Sequence, residues 1–376
     1  MNILHISTFL QGGAGKVVID LAQNQRSQGN QVYVACTAKK IGDYSNYEKY
    51  MSILEESAIK TFLLDSTFSR KISNVHMVAS TLCNILNSCK IEFIHSHAAN
   101  PSLIAMIACA MLGKKIPLIQ TMHGWGIFKT LQQENQDIAI LNLIDHVVPI
   151  SQSAERLLHN KGNFNKNTTV VYNGIKPLMK KIDFHEDSEL LNLYKFQEKG
   201  YFILGAVGTV DERKNQKIII EALKFLPSEV KYRLYIIGEG SSINQLNTFC
   251  MDKGLSKKVI FTGYKPNSRM FISAFDLLVS ASSSEGGPPL VFMEAFAEKT
   301  PVLASDTDEH QEVIEHMKTG ILFTQNDPKN LAKKMIEAYN LKSFSQITEK
   351  AYKLFKQKFT ETKAHAKYDC LYKSLT

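Results

Sequence analysis

The chain has 376 residues, more than one hydrophobic core usually organises, so two domains are expected. Hydrophobic residues make up 44% and charged residues 21%, which excludes collagen-like, coiled-coil and largely disordered chains. A net charge of +8 admits ordinary surface lysine or a phosphate-bearing partner such as an anionic membrane face, while the lack of an aromatic-interleaved basic patch disfavours nucleic acid.

In chain order, residues 3–8 predict a first strand, followed by a glycine-rich turn (9–18) and an amphipathic helix over 16–28. The N-terminus lacks the basic start and long apolar core of a signal peptide. Further strands are predicted at 31–36, 92–95, 117–121, 146–150 and 168–172, with a helix over 72–86. The longest apolar run, 103–112, is too short to span a bilayer and reads as a buried helix. Such apolar strands separated by helices imply a parallel sheet covered on both faces. The pattern breaks at 176–200, a charged stretch without an apolar strand, where the domain linker is placed. Strands resume at 202–207, 232–238, 258–263, 276–281 and 301–305, and a tail helix covers 361–375. The reading is two doubly wound α/β domains, 1–180 and 198–357, with a cleft between them. Six scattered cysteines without a C-x-x-C pair point to free thiols in a reducing cytosol.

Four motifs carry chemistry. In "FLQGGAGKVV", Gly12 and Gly13 allow close backbone approach at a helix start, although the spacing fits neither a P-loop nor G-x-G-x-x-G and a plain tight turn stays open. His95, His97 and His123 stand at strand carboxyl ends, the rim where open α/β sheets bind ligands. A zinc site lacks a carboxylate partner there, and a structural role is the stronger reading for a lone rim histidine; His123 is singled out by Gly124 and Gly126. Arg213 and Lys214 before a helix suit a diphosphate, the alternative being a solvated charged turn. In "SSSEGGPPLVFMEAFAEK", Pro289 pre-sets a helix start whose N–H groups favour an anion, while Glu285 and Glu294 suit hydroxyls, which need acceptors. Phosphate and hydroxyls together describe a nucleotide sugar.

Taken in order, these motifs resemble a GT-B glycosyltransferase of family 4. The resemblance runs through Gly12–Gly13, Thr121 and His123, "VVYNGI" (170–175), Lys214–Asn215, the two-glutamate stretch, "TPVLASD" (300–306), "TGILF" (319–323) and "DPKNLA" (327–332). It implies two Rossmann-like domains facing a central cleft, with a last helix (358–376, carrying Tyr368 and Tyr372) crossing back to the first, acceptor-binding domain. It implies that Gly12–Gly13 faces the donor diphosphate and sugar and that His123 assists departure of the leaving group. Lys214, with Arg213, neutralises the diphosphate, Glu285 holds the sugar and Glu294 the ribose. Backbone N–H groups of Gly286, Gly287 and Leu290 face sugar and phosphate, and Tyr264 lies at the base. His123 and Glu285 are thus the implied catalytic pair.

The implied reaction is retaining, metal-independent hexosyl or N-acetylhexosaminyl transfer from a nucleotide sugar, chiefly UDP-linked, to a glycan or lipid-linked acceptor of cell-surface polysaccharide or lipopolysaccharide. No resident cofactor is required, and the location is cytoplasmic, with peripheral contact at the anionic inner membrane face. Three departures stand out: eight rather than seven residues between Glu285 and Glu294, Thr209 in place of the usual arginine, and "DTDEHQEV" (306–313) in place of Gly-Gly. They keep two alternatives open, a catalytically silent GT-B partner subunit and a GT-B sugar-nucleotide epimerase.

Overall fold

The computed structural model describes residues 1–38, 46–126, 129–177 and 187–375. The chain divides into two compact units, Met1–Asn173 with Thr362–Thr376, and Gly174–Glu361.

The first unit opens with β1 (Asn2–Ile6), α1 (Gly12–Ser27), β2 (Gln31–Thr37), α2 (Asn46–Glu56) and β3 (Lys60–Leu64). It continues with α3 (Ile72–Ser88), β4 (Phe93–Ser96), α4 (Ala99–Leu112) and β5 (Leu118–Met122). Then come α5 (Leu131–Leu143), β6 (His146–Pro149) and α6 (Gln152–Asn160). The second unit holds α7 (Ser188–Glu198), β7 (Phe202–Val207), α8 (Gln216–Ala222), β8 (Tyr232–Ile237) and α9 (Ile243–Asp252). After these follow β9 (Val259–Gly263), α10 (Ser268–Ala274), β10 (Leu277–Ser280), α11 (Leu290–Ala297) and β11 (Val302–Ser305). The second unit ends with α12 (Asp308–Gln311), β12 (Ile321–Phe323), α13 (Pro328–Tyr339) and α14 (Ser345–Lys358), and α15 (Glu361–Leu375) returns to the first unit.

Both sheets are parallel and share one doubly wound order, β3-β2-β1-β4-β5-β6 and β12-β11-β10-β7-β8-β9. In each, the winding direction reverses between two central neighbours, β1 and β4 in one and β7 and β10 in the other. Connections leaving such a pair go to opposite faces, and their carboxyl ends frame a crevice.

The strands are apolar because both faces are covered. Leu4 and Ile6 point into the cluster with α3 and α4, while Ile3, Phe93, Ile119 and Val148 face Tyr368, Leu371 and Tyr372 of α15. The tail helix therefore forms a layer of the first unit. It caps a row of strand residues that would otherwise expose its apolar face.

Three expectations are corrected. Residues 168–172 form no strand; Thr168 makes a single bridge to Val147, and Val171 is buried beneath the tail helix instead. Two strands were missed, β3, a half-exposed run at the sheet edge without clear alternation, and β12, which is three residues long. The proposed linker is largely folded. Residues 178–186 lie outside the described residues, but α7 is capped by Asp187 and buries Leu190 and Leu193. Lys265 ties it down through Asp187 (2.9 Å) and Glu189 (2.8 Å).

At the carboxyl ends of β7 and β8 two turns run against each other. A Cβ placed on Gly238 (φ +143°) would sit 1.9 Å from the carbonyl oxygen of Gly208 (φ +139°). Backbone cannot yield as a flexible side chain can, and the left-handed φ adds its own penalty. Gly238→Ala is expected to destabilise the second unit by about 2 kcal/mol or more. Chemical denaturation of the variant, with an unchanged midpoint as the contrary result, checks this.

Candidate functional site

In the second unit the site grows from the β7/β10 pair. The loop after β7 carries Asp211, whose carboxylate accepts from the Lys214 N–H (2.8 Å), and Asn215 adopts a left-handed φ of +51° to start α8. This tight turn aims Arg213 and Lys214 at the loop after β10, where the Ser283 N–H donates to the Arg213 carbonyl (2.8 Å). Glu285 receives both cations, Arg213 Nη1 on Oε2 at 2.8 Å and Lys214 Nζ on Oε1 at 2.5 Å.

The Glu285 side chain is only 8% exposed. Burial pushes its carboxyl pKa up, but Lys214 and Arg213 outweigh that and hold it below the usual range. The two groups expected to meet phosphate, and the one expected to meet sugar, are therefore bonded to each other. These three groups sum to one positive charge, which the Asp211 carboxylate, 3.7 Å from Arg213 Nη2, offsets.

Helix α11 begins at Leu290 after an extended Pro289 (ψ 139°), so the extra residue between the glutamates is taken up before the helix rather than within it. Gly287 is buried, Gly286 and Leu290 are half-buried, and Glu294 is half-buried one turn into α11. The Glu285 N–H reaches Glu309 Oε1 (3.4 Å), so the departing "DTDEHQEV" segment folds as α12 against this loop. Thr209 accepts from Gln216 Nε2 through its carbonyl (2.8 Å), which secures the turn. Tyr264 follows β9 and is half-buried; burial first, and the Glu239 charge second, raise its hydroxyl pKa.

Sequence reasoning missed His310. It is fully buried, its Nδ1–H donates to the Ser305 carbonyl (2.8 Å), and its ring lies 4.8 Å from that of Phe292. It stands in the charged run 306–313, whose polar composition gives no sign of burial.

In the first unit the site grows from the β1/β4 pair. Strand register sets His5 beside His95, and His97 is held by its N–H to the Ile6 carbonyl (2.9 Å). Three ring-to-ring and ring-to-amide contacts then run in series. Gln25 Oε1 meets His5 Nε2 at 2.7 Å, His5 Nδ1 meets His97 Nε2 at 3.0 Å, and His97 Nδ1 meets His123 Nε2 at 3.0 Å. His123 Nδ1 is buried and has no hydrogen-bond partner among the described residues.

His95 belongs to a second set, with Nδ1 2.6 Å from the Tyr372 hydroxyl and Nε2 2.7 Å from Thr121 Oγ1, which is itself 2.8 Å from the Tyr368 hydroxyl. Nitrogens of His5, His95 and His97 lie within 4.8 Å of one another, a spacing that would admit a metal ion. The lone pairs are already engaged, however, with one another or with hydroxyls. His5 and Gln25 were not anticipated from sequence. The rim histidines, read singly there, are here members of connected networks.

At the start of α1 the Gly12 N–H (φ +62°) reaches Asn46 Oδ1 (3.2 Å) and its carbonyl accepts from the Tyr50 hydroxyl (3.1 Å). Gly13 is exposed. Helix α1 has no acidic residue in its first turn and no cap from the Gln11 side chain, so Asn46 supplies an acceptor at its start.

Two family models match the chain, one described as Glycosyltransferase Family 4 over residues 11–177 and one as Glycosyl transferases group 1 over 194–354. A solved structure of Anabaena Alr3699/HepE in complex with UDP-glucose superposes with a TM-score of 0.84 over 100% of both chains at 20% identity. The chain is a glycosyltransferase of GT-B type. Among curated proteins it is 24% identical over 305 residues, 78% of each chain, to N-acetyl-alpha-D-glucosaminyl L-malate synthase of Bacillus anthracis. It is 22% identical to the O-antigen biosynthesis glycosyltransferase WclY of Escherichia coli over 76% of this chain and 80% of that one. Among the described residues no helix is long and apolar enough to cross a membrane.

Burial lowers His5, His123 and His310 from 6.5 to about 4, and takes His95 and His97 well below 6.5. Between pH 6.5 and 4 the unfolded chain therefore binds protons that the folded chain does not. Stability is complete above that window and falls as the pH drops through it, by about 2 kcal/mol per such histidine at pH 5. Urea midpoints are expected to drop sharply from pH 7 to pH 5, most of all in the first unit. Equal midpoints would mean that these imidazoles ionise within the fold.

Proposed function

We propose that the chain is a retaining glycosyltransferase that moves a hexosyl or N-acetylhexosaminyl group from a UDP-sugar to a glycan or lipid-linked acceptor, without a resident metal or cofactor. The observation that carries this reading is the Arg213–Glu285–Lys214 cluster at the switch point of the second sheet. Two cations held by one carboxylate make a site that a diphosphate can enter by replacing that carboxylate, freeing Glu285 for the hydroxyls of the sugar. Fixed positive groups in a partly desolvated site stabilise a departing diphosphate without a metal. The neighbour solved with UDP-glucose and the relatives in O-antigen and sugar-malate chemistry support a nucleotide-sugar donor and a surface-glycan setting.

Within this reading Glu294 takes the ribose hydroxyls, Tyr264 lies at the base, and the backbone of Gly286, Gly287 and Leu290 faces sugar and phosphate. In the first unit Gly12–Gly13 and His123 serve the transferred sugar. The location is the cytoplasmic side of the membrane, with the net charge of +8 favouring anionic lipid. A silent partner subunit is the competing reading, because in the structure Glu285 is spent on the very cations that phosphate needs.

A nucleotide-sugar panel read by thermal shift separates the two, since a silent subunit without donor affinity shows no shift with any nucleoside diphosphate. Glu285→Gln keeps the shape and removes the charge that satisfies Arg213 and Lys214. It is expected to tighten UDP binding roughly fivefold, about 1 kcal/mol, while transfer falls. Isothermal titration and turnover assays check this; weaker UDP binding in the variant would show that the carboxylate does not compete with phosphate.

A further inference from the structure

We propose that Gln25, acting through His5 and His97, locks His123 in its Nε2–H tautomer, so that Nδ1 presents a bare acceptor to a hydroxyl of the sugar. This rests on His123 serving the ligand in the proposed transferase.

The proton count follows from the geometry. A neutral imidazole has one N–H, and each of the three contacts in the series needs one hydrogen. A carboxamide oxygen at the head of the series can only accept, so His5 must donate from Nε2. His5 Nδ1 is then an acceptor, which makes His97 donate from Nε2, and His97 Nδ1 in turn makes His123 donate from Nε2. The remaining His123 nitrogen, Nδ1, carries no hydrogen, and it is the buried atom without a partner among the described residues. Turning the Gln25 amide around would reverse every link and leave a hydrogen on His123 Nδ1.

The polarity of the series is set at its head, where Gln25 Oε1 lies 2.7 Å from His5 Nε2. Gln25 is 1% exposed and His5 fully buried, and the other amide atom, Gln25 Nε2, is buried without a hydrogen-bond partner among the described residues. A second hydrogen on any ring would break a link, so the series also keeps the rings neutral.

Gln25 cannot pass a proton onward as an imidazole can, so the series is a lock rather than a wire. The locked His123 has no proton to give from Nδ1 to a leaving phosphate. It accepts from an O–H, which selects a polyhydroxylated ligand and orients it. By contrast, the His95 set contains three hydroxyls that rotate freely, and either tautomer of His95 is satisfied there. The lock therefore belongs to the Gln25 series alone. Gln25, His5 and His97 are positioning residues, with His123 the group that meets ligand.

Long-range 1H–15N correlation spectra of the labelled full chain at neutral pH, assigned by single substitutions and recorded without ligand, read each tautomer. His5, His97 and His123 are expected as Nε2–H in the wild type. In Gln25→Met, which keeps volume and removes the acceptor, all three are expected as tautomer mixtures, with kcat down roughly threefold to tenfold and donor KM changed less than about twofold. Nδ1–H or mixed tautomers in the wild type, or unchanged tautomers in Gln25→Met, would overturn the lock. If that variant does not fold, the wild-type spectrum decides alone. The spectra need no nucleotide, so a chain that binds no nucleotide sugar removes the transferase reading while the tautomer result still stands or falls by itself.

Discussion

A buried neutral imidazole has one hydrogen to give and one lone pair to fill, and the first unit is built around that constraint. His5, His95, His97 and His123 gather where β1, β4 and β5 end, and among the described residues no carboxylate is hydrogen-bonded to these rings. Each ring must find one donor and one acceptor or stay unsatisfied at a cost of about 1–3 kcal/mol. The chain meets this with a glutamine from α1, a threonine from β5 and two tyrosines from the tail helix. The tail helix thus does more than bury apolar surface. Tyr368 and Tyr372 give the sheet polar partners for His95 of β4 and Thr121 of β5, which ties the tail helix to the centre of the sheet.

The second unit solves a different problem at the equivalent topological point. Arg213 and Lys214, set close together, repel, and Glu285, nearly buried, accepts from both. The arrangement is stable because the carboxylate is paired twice, yet it is exchangeable because Arg213 remains 29% exposed and water reaches it. One unit thus relies on neutral hydrogen bonds and the other on compensated charge.

Much of this was legible in the sequence. Apolar strands at regular intervals announced two parallel sheets, and Gly12, Lys214, Glu285 and Pro289 marked the turns at their carboxyl ends. What escaped notice did so for physical reasons. The β3 run "KTFLL" lies at a sheet edge and is half exposed, so its pattern is weak, and "ILF" is too short to register as a strand. Residues 168–172 have the composition of a strand, but the apolar side chain of Val171 is satisfied by the tail helix rather than by a neighbouring strand. His5 sits in the first strand and Gln25 four turns along the first helix. No local pattern joins them to His97 and His123; only the strand register does.

The same register explains why a pairwise reading of the histidines was insufficient. One rim histidine, taken alone, is satisfied by any nearby carbonyl. Three in series are not independent, because the hydrogen on one decides the hydrogen on the next. The property that matters for a ligand, whether His123 accepts or donates, is then stored in a side chain it does not touch. Substituting His97 would cut the series at its middle and leave Gln25 and His5 correctly paired while His123 lost its direction. Chemistry at the rim is therefore a consequence of packing between α1 and β1, and the fold carries it to the site through hydrogen positions rather than through any displacement of backbone.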